Sequence, residues 1–300
     1  MAAISTRTPI EQVLVGNTSY CDFPNLTTAF QNLPEGNVEI VILAGIYKEN
    51  VRLYKDNVTI RGLGEVKIVG NRYALEKDKT GRELGTFQTA TFFINGGNIH
   101  LENLTIQNNA GPGEEVGQAV ALYIEGKNLS FKNCRLLGQQ DTLCIGPLPP
   151  TNKDGKPLLS PWKKRIFTNG EALFEECYIN GTVDFIFGGG KAKFIHCEVE
   201  SLKRTSPTPN FITAPSTIEG EEGFYFRHCF IHGKHPYSLG RPWRPYGESH
   251  FEDCFMDECL TTIGWDEWGK EANKKTARFR EINNHYVTKV TRPHWIKLEV

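Results

Sequence analysis

The chain has 300 residues, 39% of them hydrophobic and 23% charged, with 34 basic against 35 acidic side chains and a formal net charge of −1. This is an ordinary globular balance, sized for one large domain or two smaller ones. No global field draws such a chain to nucleic acid or an anionic membrane, and no apolar run reaches the roughly 20 residues of a membrane-spanning helix.

The first segment, MAAISTRTPIEQVLVG (1–16), has neither the basic n-region nor the apolar h-region of a secretory signal. The chain as it stands therefore reads as cytoplasmic, and as extracellular only if a leader has been removed. Asn25-Leu-Thr and Asn180-Gly-Thr match the glycosylation pattern. Without a signal they read as chance matches.

From Leu101 onward a short pattern recurs. LENLTI at Leu101 is followed by FKNCRL at Phe131, FEECYI at Phe174, FIHCEV at Phe194, FRHCFI at Phe226 and FEDCFM at Phe251. Successive copies start 30, 43, 20, 32 and 25 residues apart, a spacing that signals a solenoid. QTATFFINGGNIHLENLTI (88–106) and QAVALYIEGKNLSFKNCRL (118–136) align without gaps. The units are rich in Phe, Val, Ile and Thr and alternate apolar with polar, so they are strands. Leu129 and Phe131 share one face, Cys134 and Leu136 another, and the phase breaks at Asn133. Asn103 and Asp253 hold matching positions, and Asn and Asp tolerate the left-handed conformation that a bend needs. Short strands joined by bends wind into an all-β, right-handed parallel β-helix, a single domain over 1–300. Its rungs lie ~4.8 Å apart.

In this arrangement Cys134, Cys177, Cys197, Cys229 and Cys254 form an internal column of reduced, buried thiols. Cys21, Cys144 and Cys259 fall outside it. No CxxC or HExxH spacing occurs, so no metal site is expected. Asp141 lies seven residues after Cys134 and Asp184 seven after Cys177. Equal offsets on adjacent coils place the two carboxylates one above the other, roughly 5 Å apart. Two like charges that close cannot both ionise easily. A proton donor beside an ionised nucleophile suits acyl transfer with a poor leaving group. Asp184 also sits inside the apolar run Val183-Asp184-Phe185-Ile186-Phe187, where a charge requires a partner.

Residues 144–165, rich in Pro, Lys and Gly, read as a long loop inserted between two coils. Its basic residues Lys153, Lys156, Lys163, Lys164 and Arg165 are expected to border the cleft and meet an anionic substrate. His196 and His228 precede column cysteines and should point outward; with His232 and His235 they read as solvated surface. There is no GxSxG elbow for serine chemistry. The tail from Lys270 is more charged and is expected to cover a side or end of the solenoid.

Four segments in order, GQAVAL (117–122), GQQDTL (138–143), GTVDFIFG (181–188) and LGRPW (239–243), resemble the signatures of the pectin methylesterase family. GIYKENV (45–51) and GWDEW (264–268) resemble it too, and the similarity runs from about residue 11 to about 295. The resemblance implies a carbohydrate esterase that removes methyl esters from galacturonate in pectin or methylated oligogalacturonate, acting as a monomer without metal or organic cofactor. Asp184 resembles the nucleophile, and Asp141 the acid that protonates methanol and then activates water. Gln118 and Gln140 resemble oxyanion-hole donors. Arg241 resembles the residue that holds Asp184 ionised. Trp243, Phe187 and Phe185 resemble substrate-contacting aromatics.

Three features depart from the family pattern. Many members carry Tyr where this chain has Cys144. The aspartates are 43 residues apart, with the inserted loop between them. Family members often continue with helices packed back on the solenoid; here that segment is short, and the end is expected to be less well covered. The competing readings are a β-helix esterase for another ester, such as an acyl thioester, a polygalacturonase or lyase, and a non-catalytic polysaccharide-binding solenoid. The pair of aspartates with both glutamines and LGRPW intact favours the pectin esterase.

Overall fold

The computed structural model describes residues 10–152 and 154–299. Most of the N-terminal segment read for a signal, and Lys153 of the loop, lie outside the described residues.

The chain winds as a parallel β-helix with three faces. The first carries Val51–Leu53, Phe92–Ile94, Leu122–Ile124, Leu143–Ile145, Ile186–Gly188, Asn210–Pro215 and Tyr237–Gly240. The second runs through Gly97–Glu102, Lys127–Lys132, Glu171–Glu175, Lys191–Ile195, Phe224–Arg227 and Glu248–Glu252. The third runs through Thr105–Asn108, Arg135–Leu137, Tyr178–Gly181, Glu198–Ser201 and Phe230–Gly233. The second and third faces share the long strands Asn37–Tyr47 and Val58–Gly70, which turn the corner between them. Pairing between successive coils is parallel throughout these faces.

The recurring sequence pattern is the second face, its corner and the third face. Inward phenylalanines stack down the second face. Phe131, Phe174, Phe194, Phe226 and Phe251 follow one another with centroids 4.6, 4.8, 4.3 and 4.5 Å apart and rings within 10° of parallel. At the corner the residue before each column cysteine adopts positive φ: Asn133 at 49°, Glu176 at 54°, His196 at 53°, His228 at 52° and Asp253 at 51°. Side chains there also form ladders, as when Asn133 Nδ2 donates to Asn103 Oδ1 at 2.7 Å or the outward rings of His196 and His228 stack at 5.2 Å. Such contacts offset part of the cost of left-handed backbone at non-glycine residues.

Each column thiol is buried and points back at a carbonyl of the preceding coil, that of Leu101 for Cys134 and of a phenylalanine for the other four. Cys177 Sγ donates to Phe131 O at 3.4 Å, Cys197 Sγ to Phe174 O at 3.4 Å and Cys229 Sγ to Phe194 O at 3.3 Å. All eight cysteines are free. The asparagines of both sequons are engaged: Asn25 Oδ1 accepts from Thr28 N and caps the helix Leu26–Gln31, while Asn180 Oδ1 accepts from Gly138 N.

Two boundaries differ from expectation. Cys144 and Ile145 belong to a first-face strand, so the inserted loop spans 146–170 rather than 144–165. Pairing to strands on both sides holds them in place. The tail from Lys270 is more than a cover, since Arg278–Ile282 pairs with Glu248–Glu252 and adds a rung. That end is also better covered than expected. Val290, Trp295 and Ile296 pack against the core, and Arg292 reaches in to the fully buried Glu281.

Candidate active site

Asp141 and Asp184 lie at the corner where the third face turns into the first. Leu136 pairs with Ile179 and Leu143 with Ile186, so the register is the same on both sides of the two aspartates. Asp141 N donates to Val183 O at 3.1 Å. The carboxylates are therefore one rung apart, and the 43-residue separation is absorbed by the loop. Both aspartates have positive φ, 65° at Asp141 and 52° at Asp184, a left-handed backbone that places strain at the point where the side chains converge.

The surrounding glycines make this corner possible. A Cβ at Gly181 would lie 2.3 Å from Phe185 Cβ. A Cβ at Gly240 would lie 2.1 Å from Thr213 Oγ1. The second absence lets the next residue, Arg241, follow the coil closely, with its N–H donating to Thr213 O at 3.0 Å. Arg241 then grips Asp184 with a two-pronged pair: Nε to Oδ1 and Nη2 to Oδ2, both 2.8 Å. Its guanidinium is sandwiched between the rings of Phe211 at 4.1 Å and Trp268 at 3.9 Å. This geometry fixes the fork and stabilises a carboxylate on Asp184.

Asp141 is in the opposite situation. Burial pushes its pKa well above the ordinary carboxylate range, the Asp184 charge pushes it the same way, and Arg241 only partly opposes them. The corner therefore holds two carboxyl groups driven toward different protonation states, an acid above a gripped carboxylate.

They open into a cleft of about 320 Å³ lined by Gln118, Gln140, Asp141, Asp184, Phe187, Arg241 and Trp243. Among the described residues neither glutamine amide is engaged by a protein partner. Phe187 and Trp243 meet edge to face, centroids 5.9 Å apart. Phe185 does not join them. It is fully buried inside the coil with the core side chains, so the expectation that it contacts substrate is corrected. Phe185 precedes the strand Ile186–Gly188 and directly follows the left-handed Asp184, so the bend turns it inward, whereas Phe187 sits on the outer side of the strand.

The sequence reading did not single out Thr86, Phe87, Asn152, Leu158, Ala214 and Trp268, which complete the lining. Trp268 ends the GWDEW segment, the one signal that could have found it. The loop does border the cleft, through Asn152 and Leu158, and Arg244 Nη2 tethers its tip by donating to Thr151 O at 2.7 Å. Its described basic residues do not line the cleft. Lys156 pairs with Asp154, Lys163 with Glu125 and Arg165 with Asp56, while Lys164 lies over the Tyr54 ring. Cys144 is fully buried beside Tyr123, Phe187 and Trp162 and presents no surface to the cleft.

Fold and cleft together define a β-helical hydrolase. The pectinesterase family model matches residues 12–146 and 165–298, and the chain belongs to this family of carboxylic ester hydrolases. The unmatched interval falls within the inserted loop. Pectinesterase 31 of Arabidopsis thaliana is 31% identical over 282 residues, covering 89% of this chain and 79% of its own. Pectin methylesterase from carrot superposes with a TM-score of 0.80 at 24% identity, covering 96% of this chain and 88% of that one. A pectin methylesterase solved in complex with a hexasaccharide superposes at 0.78 and 25% identity, covering 96% and 92%.

Proposed function

We propose that the chain hydrolyses methyl esters of galacturonate residues in pectin through an acyl-enzyme on Asp184. The observation that carries this reading is the asymmetric pair: Asp184 clamped by Arg241 at 2.8 Å, Asp141 buried one rung away with its pKa driven up. Asp184 attacks the C6 carbonyl of the ester, and a tetrahedral oxyanion forms. The unengaged amides of Gln118 and Gln140 donate to that oxyanion. As the C–O bond to the methoxy group breaks, Asp141 gives its proton to the leaving oxygen and methanol departs. The product is an anhydride between Asp184 and the uronate. Asp141, now a carboxylate, removes a proton from water, whose oxygen attacks the galacturonate C6. Asp184 leaves as a carboxylate, the uronic acid is released, and Asp141 is again protonated. Trp243 and Phe187 supply the apolar wall for a sugar ring. One chain contains the whole cleft, so a monomer suffices.

Methanol release from methylated pectin by the native chain and by Asp184→Asn tests the proposal. Loss on the order of 10³-fold or more is expected for the variant. Equal release by both would overturn the mechanism, and no release by the native chain would overturn the substrate.

A further inference from the structure

Of the four described basic residues in the loop, three are matched by carboxylates. Lys164 is the exception. Its ammonium lies 3.9 Å over the ring of Tyr54, and among the described residues it has no acidic partner. Arg52, on the first strand of the first face, is in the same position: exposed, 4.4 Å over the ring of Trp162, and without a carboxylate among the described residues. The two platforms are themselves joined, since Tyr54 OH donates to Trp162 O at 2.9 Å. Arg52, Tyr54 and Lys164 line one concave pocket of about 550 Å³, whose remaining wall includes Phe30, Gln31 and Asn50.

The pocket and the cleft share one face. Arg52, Phe93, Tyr123, Cys144 and Phe187 follow in register along it, so Arg52 stands roughly 19 Å from the Phe187 rung at the usual strand spacing. The loop lies between, with Trp162 against Phe93 at 5.9 Å. Cations fixed on aromatic platforms, with amides beside them, suit a sugar ring that carries a carboxylate.

We propose that Arg52, Lys164 and Tyr54 form a second, non-catalytic site that binds de-esterified uronate residues of the same polysaccharide whose esters are cleaved at Asp184. The proposal rests on the pectin reading for the identity of its ligand. A stretch already stripped of methyl groups is anionic, and the pocket retains it while another part of the chain occupies the cleft. Tethering of this kind raises the local concentration of the remaining esters. The loop's role is then to build this pocket with Lys164 and Trp162.

The test is calorimetric binding of fully de-esterified oligogalacturonate to the complete chain, with polyglutamate as a plain polyanion. Arg52→Gln with Lys164→Gln is expected to weaken oligogalacturonate binding at least tenfold. The ratio of kcat/KM for long, partly de-esterified pectin to that for a short methylated oligomer should fall as well. Arg52→Lys with Lys164→Arg keeps both charges and should retain most of the affinity, which separates loss of charge from a disturbed loop. Unchanged oligogalacturonate affinity in the glutamine variant, or polyglutamate bound as tightly as oligogalacturonate by the native chain, would overturn the proposal. If the native chain releases no methanol but the affinity difference persists, the esterase reading fails and the anion site stands.

Discussion

At the scale of single residues, the proposed chemistry rests on two identical side chains having different surroundings. Asp184 has a forked cation held rigidly between Phe211 and Trp268; Asp141 has burial and a neighbouring negative charge. The second arrangement opposes stability. Asp141 holds its proton to higher pH when folded than when unfolded, so between those two pKa values the folded state carries the extra proton. Its favourable contribution is complete below the ordinary carboxylate range and is lost as pH rises through the raised value. Asp141→Asn removes that loss. The variant should melt higher than the native chain at neutral pH, by on the order of a few degrees, with the gap shrinking toward pH 4 while esterase activity is lost. Calorimetry across pH checks this, and a gap that widens on acidification would contradict it. The residue scale also explains what was missed. Phe185 and Phe187 look equivalent in GTVDFIFG because residues two apart share a strand face, but the left-handed bend at Asp184 breaks that phase and sends Phe185 inward while Phe187 faces the cleft.

At the scale of elements, the repeating unit is a strand, a two-residue corner and a second strand, and its packing is set by columns. Phe194 lies between Phe174 and Phe226, rings nearly parallel on both sides. Phe194→Ala should destabilise by about 3–5 kcal/mol, because a rigid stack leaves a cavity that neighbours cannot fill. Urea unfolding reads this directly. The cysteine column predicts reactivity as well. Cys134, Cys144, Cys177, Cys197, Cys229 and Cys254 are buried, whereas Cys21 and Cys259 are half-buried. A thiol reagent should modify no more than these two in the native chain and the other six only on unfolding. The inserted loop is an element of a different kind. It is held to the coil through Asn95 Oδ1, which accepts from Lys164 N at 3.0 Å and Arg165 N at 2.7 Å, so its course follows from partners distant in sequence.

At the scale of the whole molecule, a solenoid must close its ends, because the terminal rung exposes core that interior rungs bury. Here one end is closed by a buried ion pair. Glu281 accepts from Arg292 Nε at 2.5 Å, Arg292 Nη2 at 2.9 Å, Trp265 Nε1 at 2.8 Å and Tyr286 OH at 2.8 Å. Arg292→Met strands the Glu281 charge and should cost about 3–5 kcal/mol. Combining it with Glu281→Gln should recover most of the loss in urea unfolding; no recovery would mean that Arg292 acts through packing alone.

The sequence by itself determined the repeat, the stacking of the aspartates and the column of thiols. Each is a statement about equal offsets from a recurring motif, and the coil converts equal offsets into vertical neighbours. It also marked Gln118, Gln140, Arg241 and Trp243 by resemblance. Only the tertiary structure decided where the loop lies, which of its cations are already matched by carboxylates, and which aromatics form the wall around Arg241. Those contacts join residues such as Arg52 and Trp162, or Arg241 and Trp268, that share no repeat position. The first face was hidden for a related reason: most of its strands are three residues long, too short to show a period. The carboxyl pair could be counted from the chain, whereas the cleft and pocket around it required the fold.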